Sequence, residues 1–166
     1  MLQLKIAIQS ATLRQPFRQA IDLVAQLGAE GIEIDLRNEL NLADLSRTAI
    51  RQIRKLLDDR KLKVASLRFP TRNGYHTADG LDRRVDATKR AMQLAFDLGG
   101  SFVCNSLGPI PSEEDPSWGI LVAVLHDLAR HGTKVGARLA ATTAEASGED
   151  LARVLAAIPA GGLAID

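Results

Sequence analysis

Hydrophobic positions along the chain follow two spacings, one typical of short strands and the other typical of amphipathic helices. Residues 4–8 form a short strand-prone run near the start of the chain. Apolar side chains at the i, i+3, i+4 and i+7 positions then predict a helix, which carries Phe17, Ala20, Ile21, Val24 and Leu27. Pro16 in the first turn and Gly28 after the last apolar residue are typical helix boundaries. This first segment therefore predicts one strand–helix unit.

The same alternation continues to the end of the chain. Further strands are predicted at residues 31–35, 64–67, 102–105, 138–141 and 163–165. Apolar stripes between them predict helices within residues 50–57, 81–96, 118–135 and 151–158. Ser147 and Asp150 have the spacing of a capping box at the start of the last helix, and Pro159 cannot continue that helix.

Strands that alternate with helices of this size predict a parallel sheet, which is either an open doubly wound sheet or a closed eight-stranded barrel. A barrel uses about 30 residues per strand–helix unit and about 250 residues in total. The 166 residues therefore correspond to about five units and the start of a sixth strand. An open sheet usually carries a glycine-rich phosphate loop after its first strand. Residues 9–15 (QSATLRQ) contain no glycine, which favours the barrel.

The second strand favours the barrel for a further reason. Glu33 and Asp35 alternate with Ile32 and Ile34, so the two acids point to one face of the sheet. Apolar helices cover both faces of an open sheet, where two carboxylates would be costly, whereas the inner face of a barrel opens onto its active site. The sequence predicts an α/β fold, namely an incomplete parallel (β/α) barrel of the TIM type that forms one domain over residues 1–166.

Composition narrows the partners and the cellular location. The 21 basic residues nearly balance the 20 acidic residues, which argues against nucleic acid and membrane surfaces as partners. The chain has neither a signal-peptide pattern at its start nor an apolar run of the about 18 residues that a membrane span needs. The single cysteine, Cys104, excludes an internal disulfide and is expected to be a buried structural thiol. We expect a cytoplasmic protein.

Three segments resemble one family of barrels. Residues 27–35 (LGAEGIEID) resemble the second unit of the xylose isomerase-like TIM barrels, a superfamily that includes sugar and sugar-phosphate isomerases and epimerases, inosose-type dehydratases and endonuclease IV. Residues 63–67 (KVASL) are similar to the third strand of that family, and residues 147–151 (SGEDL) to the helix after its fifth strand. The resemblance spans the whole chain but only the first two-thirds of the family's barrel.

The resemblance implies a divalent metal ion (Mn²⁺, Mg²⁺, Co²⁺ or Zn²⁺) whose ligands end strands five to eight. The metal would polarise a sugar carbonyl while carboxylates move a proton between adjacent carbons. Thr142 stands where the family has the strand-five glutamate, and Glu145 is either its substitute or a solvated loop acid. Asp166 is the metal ligand implied at strand six, and the seventh and eighth strands, with their ligands, are absent from the sequence.

Polar residues at the ends of the predicted strands are candidates for substrate binding. Glu33 is either a site residue or a structural acid at the mouth of the barrel. Arg72, Tyr75 and His76 lie in a long loop after the third strand, where they would hold hydroxyls or a phosphate unless the loop is only a mobile surface segment. Asn105 would hold a sugar hydroxyl or cap the turn after the fourth strand.

Three functions remain open at this point. The first is a metal-dependent sugar or sugar-phosphate isomerase or epimerase, of which this chain is a truncated and inactive copy. The second is a non-catalytic remnant or interaction module that forms a homo-oligomer through open barrel edges. The third, a nuclease like endonuclease IV, is disfavoured because the chain has almost no net charge and three histidines.

Overall fold

The computed structural model describes residues 5–40, 42, 45–142 and 146–166. Within them, strands and helices alternate as the hydrophobic pattern predicts. The strands are β1 (Ala7–Gln9), β2 (Gly31–Asp35), β3 (Lys63–Arg68), β4 (Phe102–Ser106), β5 (Arg138–Thr142) and β6 (Leu163–Ile165). The helices are α1 (Phe17–Gln26), α2 (Arg47–Asp58), α3 (Leu81–Asp97), α4 (Pro116–Val135) and α5 (Gly148–Ala157). A short 3-10 helix at Ser10–Leu13, which the sequence did not predict, follows β1 directly.

The order of the strands distinguishes the two candidate architectures. The strands pair in the order β1-β2-β3-β4-β5-β6, and every pairing is parallel. A doubly wound sheet reverses direction after its first half, which places its first strand inside the sheet. Here β1 lies at one edge and each strand is added beside the previous one, as in a TIM barrel wall. The predicted partial barrel is confirmed.

Helix boundaries lie where the predicted signals stand. Gly28 and Gly136 follow α1 and α4 with φ of 78° and 87°, left-handed values that glycine adopts without steric cost. Ser147 and Asp150 form a reciprocal capping box at the start of α5, because each side chain accepts a hydrogen bond from the other's backbone N–H. These local signals fix the lengths of the helices and hence the positions of the loops between them.

The hydrophobic core lies between the helices and the outer face of the sheet. Ile32, Ile34, Leu67, Val103 and Leu139 are almost completely buried there. The opposite face of the same strands carries small or polar residues, among them Gln9, Glu33, Ser66, Cys104 and Ala140. No helix in the described part of the chain is long and apolar enough to cross a membrane.

Candidate functional site

Side chains on the inner face of all six strands enclose a cavity of about 590 Å³. Its polar and titratable lining residues are Gln9, Glu33, Ser66, Arg68, Cys104 and Asp166. Gln9 and Arg68 are the last residues of their strands, and Asp166 directly follows β6. This cavity, called here the Glu33 cavity, therefore reaches the carboxyl ends of the strands, the face that carries the active site in TIM barrels.

Two hydrogen bonds hold the carboxylate of Glu33 in the cavity. Gln9 Nε2 donates to Oε1 over 2.8 Å, and Ser66 Oγ donates to Oε2 over 2.6 Å. The donors come from β1 and β3, the strands on either side of β2, so the side chain is fixed from both sides. Among the described residues, no basic side chain forms an ion pair with Glu33. A carboxylate offers about four acceptor positions, which leaves room for further hydrogen bonds from a ligand.

A second carboxylate positions the turn that follows β2. Glu39 Oε2 accepts a hydrogen bond from the backbone N–H of Asp35 over 2.8 Å and another from the Ser10 hydroxyl over 2.7 Å. Ser10 Oγ also lies 2.9 Å from the backbone carbonyl oxygen of Glu33. Ser10 and Glu39 were not predicted as site residues, because nothing in their local spacing distinguishes them from solvated loop residues. Together they connect the 3-10 helix to the end of β2.

Asp35 makes loop contacts. Its Oδ1 accepts hydrogen bonds from the backbone N–H groups of Arg37 and Asn38 over 2.8 and 3.0 Å. Its Oδ2 accepts a hydrogen bond from Asn38 Nδ2 over 2.9 Å. The carboxylate thus stabilises the turn after β2.

Cys104 lies on the inner face and is only 3% exposed. Burial, with smaller contributions from the nearby negative charges of Asp166 and Glu33, raises the pKa of its thiol from 9.0 to about 11, against the lowering effect of a hydrogen bond with Ser66. A thiol with so high a pKa is protonated near neutral pH and is a poor nucleophile. The expectation of a buried, structural thiol agrees with this environment.

We expect Cys104 in the folded protein to resist alkylation by iodoacetamide at about pH 8 and to react faster as the pH approaches about 11, because only the thiolate reacts. Asp166→Asn removes a negative charge that raises the pKa of Cys104, so Cys104 in this variant should react at lower pH. Alkylation is followed by mass spectrometry, with Asp82→Asn on α3 as a control. Rapid alkylation of the folded wild-type protein at about pH 8 would contradict the assignment.

Among the described residues, those at the ends of β5 and β6 do not by themselves make up a site for a divalent cation. Thr142 ends β5, and its neutral hydroxyl is a poor ligand for a divalent cation. Asp166 lies beside it and is held by a hydrogen bond of 2.9 Å from its backbone N–H to the Ala141 carbonyl oxygen. Glu145, the possible substitute, lies outside the described residues. Across the described ranges, no group of three or more His, Cys, Asp or Glu side chains is placed to hold a metal ion.

Tyr75 and Asn105 lie together, but outside the Glu33 cavity. Both are buried, and Asn105 Nδ2 donates a hydrogen bond to Tyr75 Oη over 2.8 Å. Tyr75 Oη lies 2.8 Å from Thr88 Oγ1 on α3, and the Thr88 hydroxyl donates to the Arg84 carbonyl oxygen. Asn105 Oδ1 accepts a hydrogen bond from the backbone N–H of Thr71, and its Nδ2 also donates to Thr71 Oγ1. Asn105 therefore anchors the loop between β3 and α3, called here the third loop.

Arg72 and His76 line a separate cavity of about 200 Å³ between the third loop and the loop that follows β4. His76 Nε2 lies 3.3 Å from Thr77 Oγ1, while its Nδ1 is buried without a hydrogen-bond partner among the described residues. The structure thus divides the predicted substrate-binding residues and the predicted metal ligand Asp166 among three places. Glu33 and Asp166 share the inner cavity, Arg72 and His76 share the loop cavity, and Tyr75 and Asn105 share the network behind β4.

Known structures with the same fold were found by comparison. A xylose isomerase domain protein from Planctomyces limnophilus superposes with a TM-score of 0.80 at 16% identity, over 88% of this chain and 56% of that one. A D-allulose 3-epimerase from Methylomonas sp., in complex with D-allulose, gives 0.72 at 18% identity, over 98% and 61%. A xylose isomerase-like TIM barrel protein from Mycobacterium smegmatis, in complex with magnesium, gives 0.71 at 16% identity, over 90% and 55%. The chain thus spans less than two-thirds of each of these structures.

Sequence comparison agrees with the structural likeness. No curated protein matches the chain in sequence. The family model described as xylose isomerase-like TIM barrel matches residues 21–166, which include the strands β2–β6 and therefore Glu33. The chain belongs to the xylose isomerase-like TIM barrel family.

Proposed function

We propose that this chain forms the substrate-binding wall of a sugar isomerase or epimerase, with the sugar hydroxyls in the Glu33 cavity. The observation that carries the proposal is the Glu33 carboxylate, which is held by hydrogen bonds from two neighbouring strands at the carboxyl ends of the barrel strands. The family supports the reaction class, since a related structure is a D-allulose 3-epimerase bound to D-allulose.

The cavity suits a ligand that carries several hydroxyl groups. Glu33 accepts hydrogen bonds, the amide of Gln9 both donates and accepts, and the Ser66 hydroxyl does the same. The volume of about 590 Å³ lies within the range of about 300–1,000 Å³ that is typical of small-molecule sites. Glu33 accepts two hydrogen bonds within the protein and keeps further acceptor positions for substrate hydroxyls.

Asp166 is the other carboxylate on this wall. It lines the cavity opposite Glu33, and its side chain is exposed. An epimerisation needs a group that takes a proton from carbon and a group that returns one. Asp166 has the position and the solvent access to exchange a proton with a bound sugar, whereas Glu33 holds that sugar in place.

Binding of D-allulose and D-fructose to the full 166-residue chain tests the proposal. Saturation-transfer NMR and calorimetry measure the affinity for each sugar. Glu33→Gln should weaken binding about tenfold or more, because hydrogen bonds to a charged acceptor contribute about 1.5–3 kcal/mol. Interconversion of the two sugars in the presence of Mg²⁺ is followed by ¹³C NMR as the test of turnover.

The matched control is Glu30→Gln. Glu30 is exposed and directly precedes β2, at the end of the barrel opposite the cavity, so the same loss of charge should leave the affinity unchanged. Equal affinities of wild type and Glu33→Gln for both sugars would overturn the proposed site.

A further inference from the structure

A second cavity adjoins the Glu33 cavity where β1, β2 and β3 end. It encloses about 530 Å³ and is lined by Gln9, Thr12, Arg14, Asp35, Asn38 and Arg68 among others. Gln9 and Arg68 line both cavities, so the two adjoin at these side chains near the carboxyl ends of the strands. The second part, called here the arginine cavity, is large enough for a substituent of a ligand bound beside Glu33.

The charge of the arginine cavity is not balanced by its own residues. Arg14 and Arg68 are exposed, and neither forms an ion pair with a side chain in the described ranges. Asp35 is the single acid among the lining residues, and its carboxylate accepts hydrogen bonds from the turn after β2. Two guanidinium groups therefore face a cavity that holds one engaged carboxylate.

The backbone of Arg14 is held in an unusual conformation. Its φ is 51°, a left-handed value that glycine adopts readily and arginine adopts at a steric cost. The 3-10 helix imposes this conformation, because the N–H of Arg14 donates to the Ala11 carbonyl oxygen. Strained backbone of this kind occurs preferentially at ligand sites. Among the described residues other than glycine, Lys61 is the one other with a positive φ, and it lies near the start of β3 at the opposite end of the barrel.

We propose that Arg14 and Arg68 bind an anionic substituent, a phosphate or a carboxylate, of the sugar whose hydroxyls lie in the Glu33 cavity. This inference rests on the proposed function and specifies its substrate class as an anionic sugar. Guanidinium groups match oxyanions because their N–H groups form a planar fork that donates hydrogen bonds to two oxygens side by side. The charges also orient the ligand, since the carboxylates of Glu33 and Asp166 repel an anion while the arginines attract it.

Four probes test the subsite on the full chain: D-fructose 6-phosphate, D-gluconate, D-fructose and inorganic phosphate. We expect one anionic sugar to bind about ten- to hundredfold more tightly than D-fructose, and its affinity to fall as salt is added. The tighter of the two anionic sugars identifies the substituent as phosphate or carboxylate. Arg68→Gln and Arg14→Gly should each remove about tenfold or more of the preference for that ligand.

The controls separate binding from folding. Arg14→Gly relieves the strained backbone, so it should lose affinity without losing thermal stability. Lys61→Gly makes the same backbone change at the other end of the barrel and should leave affinity unchanged. Arg72→Gln removes a guanidinium group from the loop cavity, and a loss of affinity in this variant alone would place the anion there and overturn the proposal.

The remaining outcomes distinguish this inference from the proposed function. D-Fructose that binds through Glu33 with an affinity equal to that of both anionic sugars would overturn the anion subsite and leave the proposed function standing. Inorganic phosphate that binds through Arg14 and Arg68, while no sugar responds to Glu33→Gln, would support the subsite and overturn the proposed function. The absence of binding by all four probes would overturn both.

Discussion

Gly74→Ala is expected to lower the free energy of unfolding by about 3 kcal/mol, the upper part of the usual range for overpacking. A Cβ atom on Gly74 would lie 2.3 Å from the Leu107 carbonyl oxygen and 2.9 Å from Gly108 Cα. Both are backbone atoms, so the third loop and the loop after β4 would have to separate. That separation would also break the hydrogen bond of 3.2 Å from the Tyr75 N–H to the Leu107 carbonyl oxygen. Urea unfolding followed by circular dichroism measures the loss.

Gly119→Ala is the matched control. Gly119 lies in α4, and a Cβ atom there would meet nothing within 4 Å. Alanine in an exposed helix position should increase stability by about 0.5–1 kcal/mol, because it loses less backbone freedom on folding. If Gly74→Ala proved as stable as the wild type, the two loops would not be in the close backbone contact described above.

Asn105→Asp is expected to cost about 3–5 kcal/mol near neutral pH, because it places a charge in a buried network in which no basic side chain of the described residues hydrogen-bonds to this position. The amide of Asn105 donates to Tyr75 Oη and Thr71 Oγ1, and a carboxylate cannot donate either bond. The measurement is urea unfolding at several pH values.

The pH dependence of this variant has a definite sign. Burial would raise the pKa of the introduced carboxyl above its value in the unfolded chain, so the folded state would hold its proton to higher pH. The stability deficit relative to wild type should therefore be small at about pH 4 and should grow as the pH rises towards 7.

Gln19→Glu on the exposed side of α1 makes the same amide-to-carboxylate change and should have almost no effect at any of these pH values. Tyr75→Phe should cost about 1–3 kcal/mol without the pH dependence, because it leaves a donor of Asn105 unpaired but adds no charge. A deficit in Asn105→Asp that does not change with pH would contradict the buried environment assigned to Asn105.

The positions of strands and helices could be predicted because their signals are local. Apolar spacing, glycines such as Gly28 and the Ser147 capping box each act within one or two helical turns. The barrel predicted from the acids of β2 was also correct, since Glu33 faces the inner cavity and Ile32 and Ile34 face the helices.

The site was harder to predict because it depends on which face of each strand points inward. In β4 the polar alternation is lost, since Val103, Cys104 and Asn105 are all buried. The sequence therefore could not show that Cys104 faces the inner cavity while Asn105 faces the third loop. The support of Glu33 depends on Gln9 and Ser66, which are 24 and 33 residues away and become neighbours only when the strands pair. The strained backbone of Arg14 likewise follows from a 3-10 helix that has no distinct sequence signal.

The side-chain hydrogen bonds behind β4 start at the Asn105 amide and run outwards in two directions, to Thr71 and to Tyr75. The Thr71 hydroxyl donates to the Asn73 carbonyl oxygen and the Thr88 hydroxyl donates to the Arg84 carbonyl oxygen, so the Asn105 amide has to supply the protons between them. The third loop is therefore joined to both β4 and α3 through a single buried amide. The position of this part of the barrel mouth consequently depends on one side chain, and truncating that side chain would release the loop from the strand and the helix together.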